Sequence, residues 1–372
     1  MTEKYVGLMS GTSLDGIDAV LASFEPGKHV CVHRWLTERY PDNIHPTLEA
    51  LLKEPYPDSP PARRIDRVLG DLYADVTLRL VEGFQTDDIR AVGCHGQTIV
   101  HRPQADPPFS WQLGNSSVIA ERTGIPVVYD FRSADLRAGG QGAPLAPAFH
   151  LHAFHSSLES RAVVNIGGIA NATYLPADAS QHVIGFDTGP GNALSDQWTR
   201  VHRNQPYDVH GEWAESATVD EGLLDHLMSD TYFQLPPPKS LDARKFNLPW
   251  LRSQIHGYGK KLDAATVQST IAAFTARSIA RSIQMWMPDV RKIYLCGGGT
   301  HNREFVRNLR IDAGLDVASS DELGIHPDQV EAVAFAWFAR CRVLNQPANL
   351  PSVTGADKAV VLGSIAEPTK YR

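Results

Sequence analysis

Four glycine-bearing turns punctuate this sequence, each following a short apolar run: SGTSLDG (Ser10 to Gly16), NIGGIAN (Asn165 to Asn171), DTGPGN (Asp187 to Asn192) and CGGGT (Cys296 to Thr300). Glycine tolerates positive φ and lets a phosphate approach backbone amides closely. The first turn adds hydroxyls from Thr12 and Ser13. Asp15, Asp18 and Asp187 add carboxylates suited to a magnesium ion, directly or through water. Gly11, Thr12, Ser13, Leu14, Asp15, Gly16, Ile17 and Asp18 thus make one candidate phosphate cradle. Gly167 and Gly189 stand in the second and third turns. Gly297, Gly298 and Gly299 lead into a helical pattern whose first amides favour an anion or a polar ring. One such turn is most often a plain hairpin; four together, two carrying Asp, point to a nucleotide. Neither GxxxxGK[ST] nor GxGxxG occurs, which argues against a P-loop ATPase or a plain dinucleotide-binding domain.

A second set of polar residues could hold a substrate. His95, Gln97 and Thr98 follow the apolar run Ala91 to Cys94 and read as a loop cluster, a common place for binding groups. Arg132 is suited to a planar carboxylate, with an ordinary salt bridge as the plainer reading. His150, His152 and His155 lack a nearby carboxylate and fit a helix end or loop better than a metal site. Phe335, Trp337 and Trp286 read as core. The four cysteines, Cys31, Cys94, Cys296 and Cys341, show neither metal-ligand nor redox spacing.

The elements that must position these residues can be read from periodicity. Tyr5 to Met9, Ile17 to Phe24 and His29 to Arg34 read as an antiparallel meander. In Arg64 to Phe84, the residues Ile65, Val68, Leu69, Leu72, Val76 and Leu80 recur at three and four, one buried helical face. Asp130 to His155 reads as a long loop crossing between lobes. Then the opening pattern returns: AVVNIGGIANATYL echoes YVGLMSGTSLDGIDAVL. A strand, His182 to Phe186, ends in DTGPGN. PPPKSLDARKF (Pro236 to Phe246) reads as a loop and Asp263 to Trp286 as the longest helix. Pro327 marks the start of a last one. The expected fold is α/β, a two-lobed duplicated unit with an interlobe cleft. Its lobes are expected at residues 1–130 and 131–344, with residues 345–372 packing back on the first.

Composition bounds the rest. The chain has 372 residues, enough for two domains. Its net charge of −7 and pI near 6.1 disfavour sequence-independent nucleic-acid binding. No apolar run is long enough to span a membrane, so a soluble, reduced, cytoplasmic protein is expected.

Together, GLMSGTSLDGIDAVL, GCHGQTIVHRP, DFRSADLRAGGQGAPLAP, NIGGIAN, FDTGPGNALSD, CGGGTHN and EAVAFAWFA resemble the anhydro-N-acetylmuramic acid kinase family, within the actin-like, ribonuclease H-like sugar kinase superfamily. The resemblance implies ATP with Mg2+ as cofactors, a 1,6-anhydro sugar from recycled cell wall as substrate, and a homodimer. It implies water attack at the anomeric carbon and phosphorylation of the released 6-oxygen. Asp187 is then the expected general base, with magnesium ordering or turn capping as the alternative. It implies that Glu331 binds sugar hydroxyls, against a helix-terminal carboxylate that merely favours the dipole. Arg132 would meet the lactyl carboxylate. Another kinase of the superfamily, or a non-catalytic nucleotide switch, are the rival readings.

Overall fold

The computed structural model of the chain describes residues 2–11, 14–25, 30–242 and 245–369. It divides into two compact units, Met1–Ala153 with Gln329–Arg372, and Phe154–Asp328. The division therefore falls elsewhere than after residues 130 and 344. Two helices, Ser133–Arg137 and Ala146–Phe154, occupy the stretch expected as a connecting loop. Its Gly and Pro content hid them, because both helices are short. The last long helix, Val330–Val343, belongs to the first unit.

In the first unit, β1 (Lys4–Ser10), β2 (Gly16–Ser23) and β3 (Cys31–Arg39) form the antiparallel meander. Next come β4 (Ile89–Arg102), β5 (Phe109–Leu113) and β6 (Val127–Tyr129). β4 runs parallel to β1 and β6 parallel to β4, giving the order β3-β2-β1-β4-β6, while β5 pairs with β4 alone. Ser364–Ala366 closes the sheet against β6.

Residues 5–8 of β1 and 91–94 of β4 are apolar and buried because both faces are covered there. On one face Val6, Leu8, Val92 and Cys94 join Ile65, Leu69, Tyr73 and Val76 of the helix Pro60–Val81 in one core. Val68, expected on that buried face, is partly exposed. On the other face stand Gly7 and Gly93. A Cβ there would lie 1.9 Å from Ala332 O and 2.0 Å from Phe335 O. The helix Val330–Val343 thus rests directly on the strand backbones.

The second unit carries β7 (Ser160–Ile166), β8 (Ile169–Leu175), β9 (Ile184–Pro190), β10 (Val290–Cys296) and β11 (Asp316–Ser319). Their order is β9-β8-β7-β10-β11, with β7–β8 and β8–β9 antiparallel and β10 and β11 parallel to β7. This repeats the first unit's order and directions, so each unit is one copy of a duplicated ribonuclease H-like sheet. The helix Ala264–Trp286 is capped by Asp263, which accepts from Ala265 N and Thr266 N at 3.0 and 2.9 Å. Its Ile279 and Ile283 pack on the sheet, and Ile271 and Phe274 enter a second helical core. No helix among the described residues is long and apolar enough to cross a membrane.

Candidate active site

The sequence-predicted residues fall into two sets, one in each unit. In the first unit β4 continues through HGQT to Arg102, because its outer half pairs with β5. His95, Gln97 and Thr98 are therefore strand residues and not a loop. Between the pairs Leu8↔Cys94 and Ser10↔Gln97, β4 carries one extra residue, a bulge with Gly96 at φ 74°. A Cβ at Gly96 would lie 2.4 Å from Leu113 O. A bulge re-aims side chains out of the strand's alternation.

The re-aimed groups meet Arg132. Its Nη2 donates to His95 Nε2 at 2.9 Å and its Nη1 to Gly142 O at 2.8 Å. His95 Nε2 must then be the acceptor, so the imidazole is neutral with its proton on Nδ1. Burial, with the Arg132 charge, pushes the His95 pKa down to about 3. The ring lies 4.7 Å from that of Phe335. Gln97 Nε2 donates to Gly11 O at 3.0 Å, tying β4 to the first glycine turn. Among the described residues, Arg132 Nε and Gln97 Oε1 are buried and meet no hydrogen-bond partner. An unsatisfied buried polar atom costs ~1–3 kcal/mol, so a donor and an acceptor stand ready for a ligand.

Glu331 opens the helix Val330–Val343. Burial, reinforced by the Asp18 carboxylate and opposed by Arg132, raises its pKa to about 7. Asp18 Oδ1 accepts from Thr37 Oγ1 at 2.7 Å. Thr98 faces Gln112 across the hairpin, with the amide 3.5 Å from its hydroxyl. Of the first turn, Thr12 and Ser13 lie outside the described residues. Leu14 and Ile17 are buried in the core, which leaves only their backbone for a ligand. Asp15 is exposed. Gly16 packs on β3, where a Cβ would lie 2.1 Å from Glu38 O.

In the second unit, β9 runs on to Pro190, so Asp187 and Gly189 lie in a strand and not at a turn. The Gly-Pro pair mimics a turn signal. β9 is an edge strand, where proline is tolerated. Asp187 is partly buried. Its Oδ2 accepts from Leu241 N at 2.8 Å, and its backbone carbonyl accepts from the Tyr232 hydroxyl at 2.7 Å. Its own N–H donates to Lys239 O at 3.1 Å. Burial raises the Asp187 pKa to about 6, against the pull of the Leu241 amide and the Lys239 charge. The Lys239 ammonium sits 4.6 Å over the Tyr232 ring and 5.6 Å over that of Phe186. Burial lowers its pKa to about 8. Lys239 and Tyr232 escape sequence reasoning. The one signal was a lysine after three prolines, in a segment whose pairing with β9 no periodicity announces.

The remaining glycines separate by surroundings. At Gly189 a Cβ would lie 2.8 Å from Ser278 Oγ, so close packing on the long helix accounts for it. Gly167 and Gly298 are open, with nothing nearer than 3.5 and 3.9 Å to an added Cβ. Gly297, at φ 81°, sits against Asn165 Oδ1, and Gly299 against Ile166. Asn192 donates from its backbone to Gly167 O at 2.8 Å and from Nδ2 to Ile166 O at 3.0 Å. The parallel strands β7 and β10 end side by side, which brings Gly167, Gly297, Gly298 and Asn192 together. Among the described residues, Asn165 Oδ1 and Thr300 Oγ1 there are buried and meet no partner. CGGGT enters a short 3-10 turn, Gly298–His301, before the helix Arg303–Ala313.

The three histidines are dispersed in role. His150 is buried, with its pKa pushed down to about 3. His152 stacks on Trp337 at 5.1 Å, and His155 Nε2 lies 3.1 Å from Pro176 O.

Comparison with known proteins bears on this arrangement. Residues 3–368 match the family model described as anhydro-N-acetylmuramic acid kinase. A protein of that name from Coxiella burnetii is 44% identical over 372 residues, 99% of each chain. One from Thiobacillus denitrificans is 44% identical over 98% of this chain and 97% of its own. Among solved structures, the activator of 2-hydroxyisocaproyl-CoA dehydratase from Clostridium difficile, with bound ADPNP, is 11% identical at a TM-score of 0.46. That likeness covers 90% of this chain and 94% of that one. With the match running nearly end to end at such identity, the chain belongs to the anhydro-N-acetylmuramic acid kinase family.

Proposed function

We propose that this kinase adds water across the 1,6-anhydro bridge of 1,6-anhydro-N-acetylmuramic acid and phosphorylates the released 6-oxygen from ATP. The products are N-acetylmuramic acid 6-phosphate and ADP, in cell-wall recycling. One observation carries the chemistry: Asp187 is a carboxylate pinned by an amide and held at a pKa of about 6. Such a group is ionised at neutral pH yet more basic than an exposed aspartate, as a general base requires.

In this reading a water oxygen bonds to the anomeric carbon and Asp187 takes its proton. The bond from that carbon to the bridge oxygen breaks. The bridge oxygen, still on carbon 6, forms the bond to the γ-phosphorus as the phosphorus–oxygen bond to ADP breaks. No separate acid is needed, since the phosphoryl group captures the leaving oxygen's charge. Arg132 Nε and Gln97 Oε1 supply the donor and acceptor for polar groups of the sugar, and Glu331 accepts from its hydroxyls. Neutral His95 holds Arg132 in place. The backbone from Gly11 to Asp18 receives the β- and γ-phosphates, and Gly167 with Gly297 to Gly299 the rest of the nucleotide. The carboxylates of Asp18 and Asp15 suit a hard cation's oxygen preference. Bound Mg2+ would neutralise charge on the phosphates there. A homodimer and a cytoplasmic location are proposed from the family and from the need for ATP. Sedimentation velocity and cell fractionation check them.

The test combines Asp187→Asn with ¹⁸O-labelled water. The wild type should release ADP and a phosphorylated sugar carrying one labelled oxygen. The variant should keep ATP affinity while turnover falls ~10²–10⁴-fold. An unlabelled phosphorylated product would mean that no water is added. A variant within about tenfold of the wild type would remove Asp187 as base.

A further inference from the structure

We propose that Tyr40 is a positioning residue that clamps both stems of the turn between β1 and β2, and so sets the affinity for the phosphates of ATP. The inference rests on the reading of that turn as the phosphate site.

The turn enters at Ser10 and leaves at Asp15 and Gly16. Tyr40 lies just beyond β3 and is 4% exposed. Its backbone N–H donates to Asp15 O at 3.0 Å, holding the exit. Its hydroxyl donates to Ser10 Oγ at 2.9 Å, holding the entry. A single side chain and its own amide thus bridge the two stems. Tyr73, from the helix Pro60–Val81, donates to the same Ser10 Oγ at 2.7 Å, which anchors the clamp to the core. Burial raises the Tyr40 pKa to about 12, so the hydroxyl keeps its proton and remains a donor across the working pH range.

The turn needs such an anchor. Leu14 adopts φ 60°, the left-handed region that a branched side chain enters at a cost. Gly16 is pressed against Glu38 O, on the strand that leads into Tyr40. Backbone amides stabilise phosphate charge only when they are already aimed at it. A turn freed at its entry would pay that ordering on binding.

Tyr40→Phe removes the hydroxyl link and leaves the backbone link intact. Calorimetric titration with ATP, without sugar, should show Kd raised about fivefold, the factor equivalent to ~1 kcal/mol for one lost hydrogen bond. KM for the sugar should stay within about twofold. Affinity for adenosine, which has no phosphate, should not change. Ser10→Ala, which removes the acceptor shared by the Tyr40 and Tyr73 hydroxyls and keeps both rings, should show the same pattern at least as strongly. The double variant should lose little more than Ser10→Ala alone, because that change already cuts the Tyr40 link together with the Tyr73 one. An unchanged ATP Kd in both single variants overturns the clamp, as does a parallel loss of adenosine affinity, which would mark general loosening. Gly16→Ala displaces the turn itself and separates the two failures. If it leaves ATP affinity intact, the phosphate reading falls and the clamp with it. If it weakens ATP while Tyr40→Phe and Ser10→Ala do not, the site stands and the clamp falls.

Discussion

Gly7→Ala is expected to injure catalysis by moving a helix. The new Cβ would lie 1.9 Å from Ala332 O, 2.7 Å from Ala336 N and 2.9 Å from Ala332 C, all backbone atoms that no rotamer change relieves. Reaching even a tight 3.0 Å contact means a retreat of about 1 Å by the helix Val330–Val343. Overpacking of this kind costs ~1–3 kcal/mol. For a unit of this size the melting temperature should fall by roughly 2–12 °C. Glu331 precedes Ala332 and moves with it. A misplacement of ~1 Å can cost ~10²-fold in rate, so kcat/KM for the sugar should drop by about that factor in protein that is still folded. Gly93→Ala meets Phe335 O of the same helix at 2.0 Å and should act alike, the pair adding less than the sum. Gly257→Ala is the control. It lies in the helix Leu248–Tyr258 with only His226 Nε2 at 3.9 Å, and should gain ~1 kcal/mol from helix propensity. Differential scanning fluorimetry and steady-state ADP release read both effects. A Gly7→Ala protein with wild-type melting temperature and kcat/KM would refute the argument that this close approach positions Glu331.

Two further outcomes follow from the second unit's base and the first unit's core. With Asp187 as the proposed base, which must be ionised to take a proton, kcat/KM should fall ~tenfold per pH unit below its pKa of about 6. Lys239→Met removes a charge that favours the ionised form, so the limb should move to higher pH, and it should vanish from the residual activity of Asp187→Asn; an acid limb at ordinary aspartate values would contradict the assignment. Stability responds in the opposite direction: a carboxyl with a raised folded pKa weakens the fold as pH rises between the ordinary value of 3.8 and about 6, because the charged form is penalised by burial. Asp135 is fully buried and accepts from Asn349 Nδ2 at 2.6 Å, Thr354 Oγ1 at 2.7 Å and Gly142 N at 2.7 Å. Asp135→Ala takes that acceptor from Gly142 N and leaves Asn349 Nδ2 and Thr354 Oγ1 their 3.3 Å bonds to Lys358 O and Leu350 O, and should cost ~1–3 kcal/mol in urea denaturation; a loss below ~1 kcal/mol would show that water replaces the carboxylate.

Much of the chemistry was legible before the fold because it is local. Strand, glycine turn and strand follow one another within about twenty residues, so the doubled meander could be read from alternation and from the repeat of glycine turns. The long helix was legible because Asp263 caps it and its apolar positions keep the helical period. Where adjacent residues sent mixed signals, the expectation slipped. HGQT reads as a loop because polar residues follow an apolar run, yet β5 gives it a partner and its pairing with β1 a bulge. DTGP reads as a turn because of its glycine and proline, yet it ends an edge strand held by the Lys239 and Leu241 backbone.

The sequence by itself determined which residue types are available, the order in which the strands and helices form, and the family, since the matching motifs are contiguous. Tertiary structure alone decided which distant groups meet. Arg132 with His95, Gln97 with Gly11, Glu331 near Asp18, and Lys239 beside Asp187 are pairings that no periodicity encodes. It also decided protonation: Asp187 and Glu331 differ from ordinary carboxylates because burial penalises charge. Burial belongs to the packed chain as a whole, down to two glycines that let a helix settle onto a sheet.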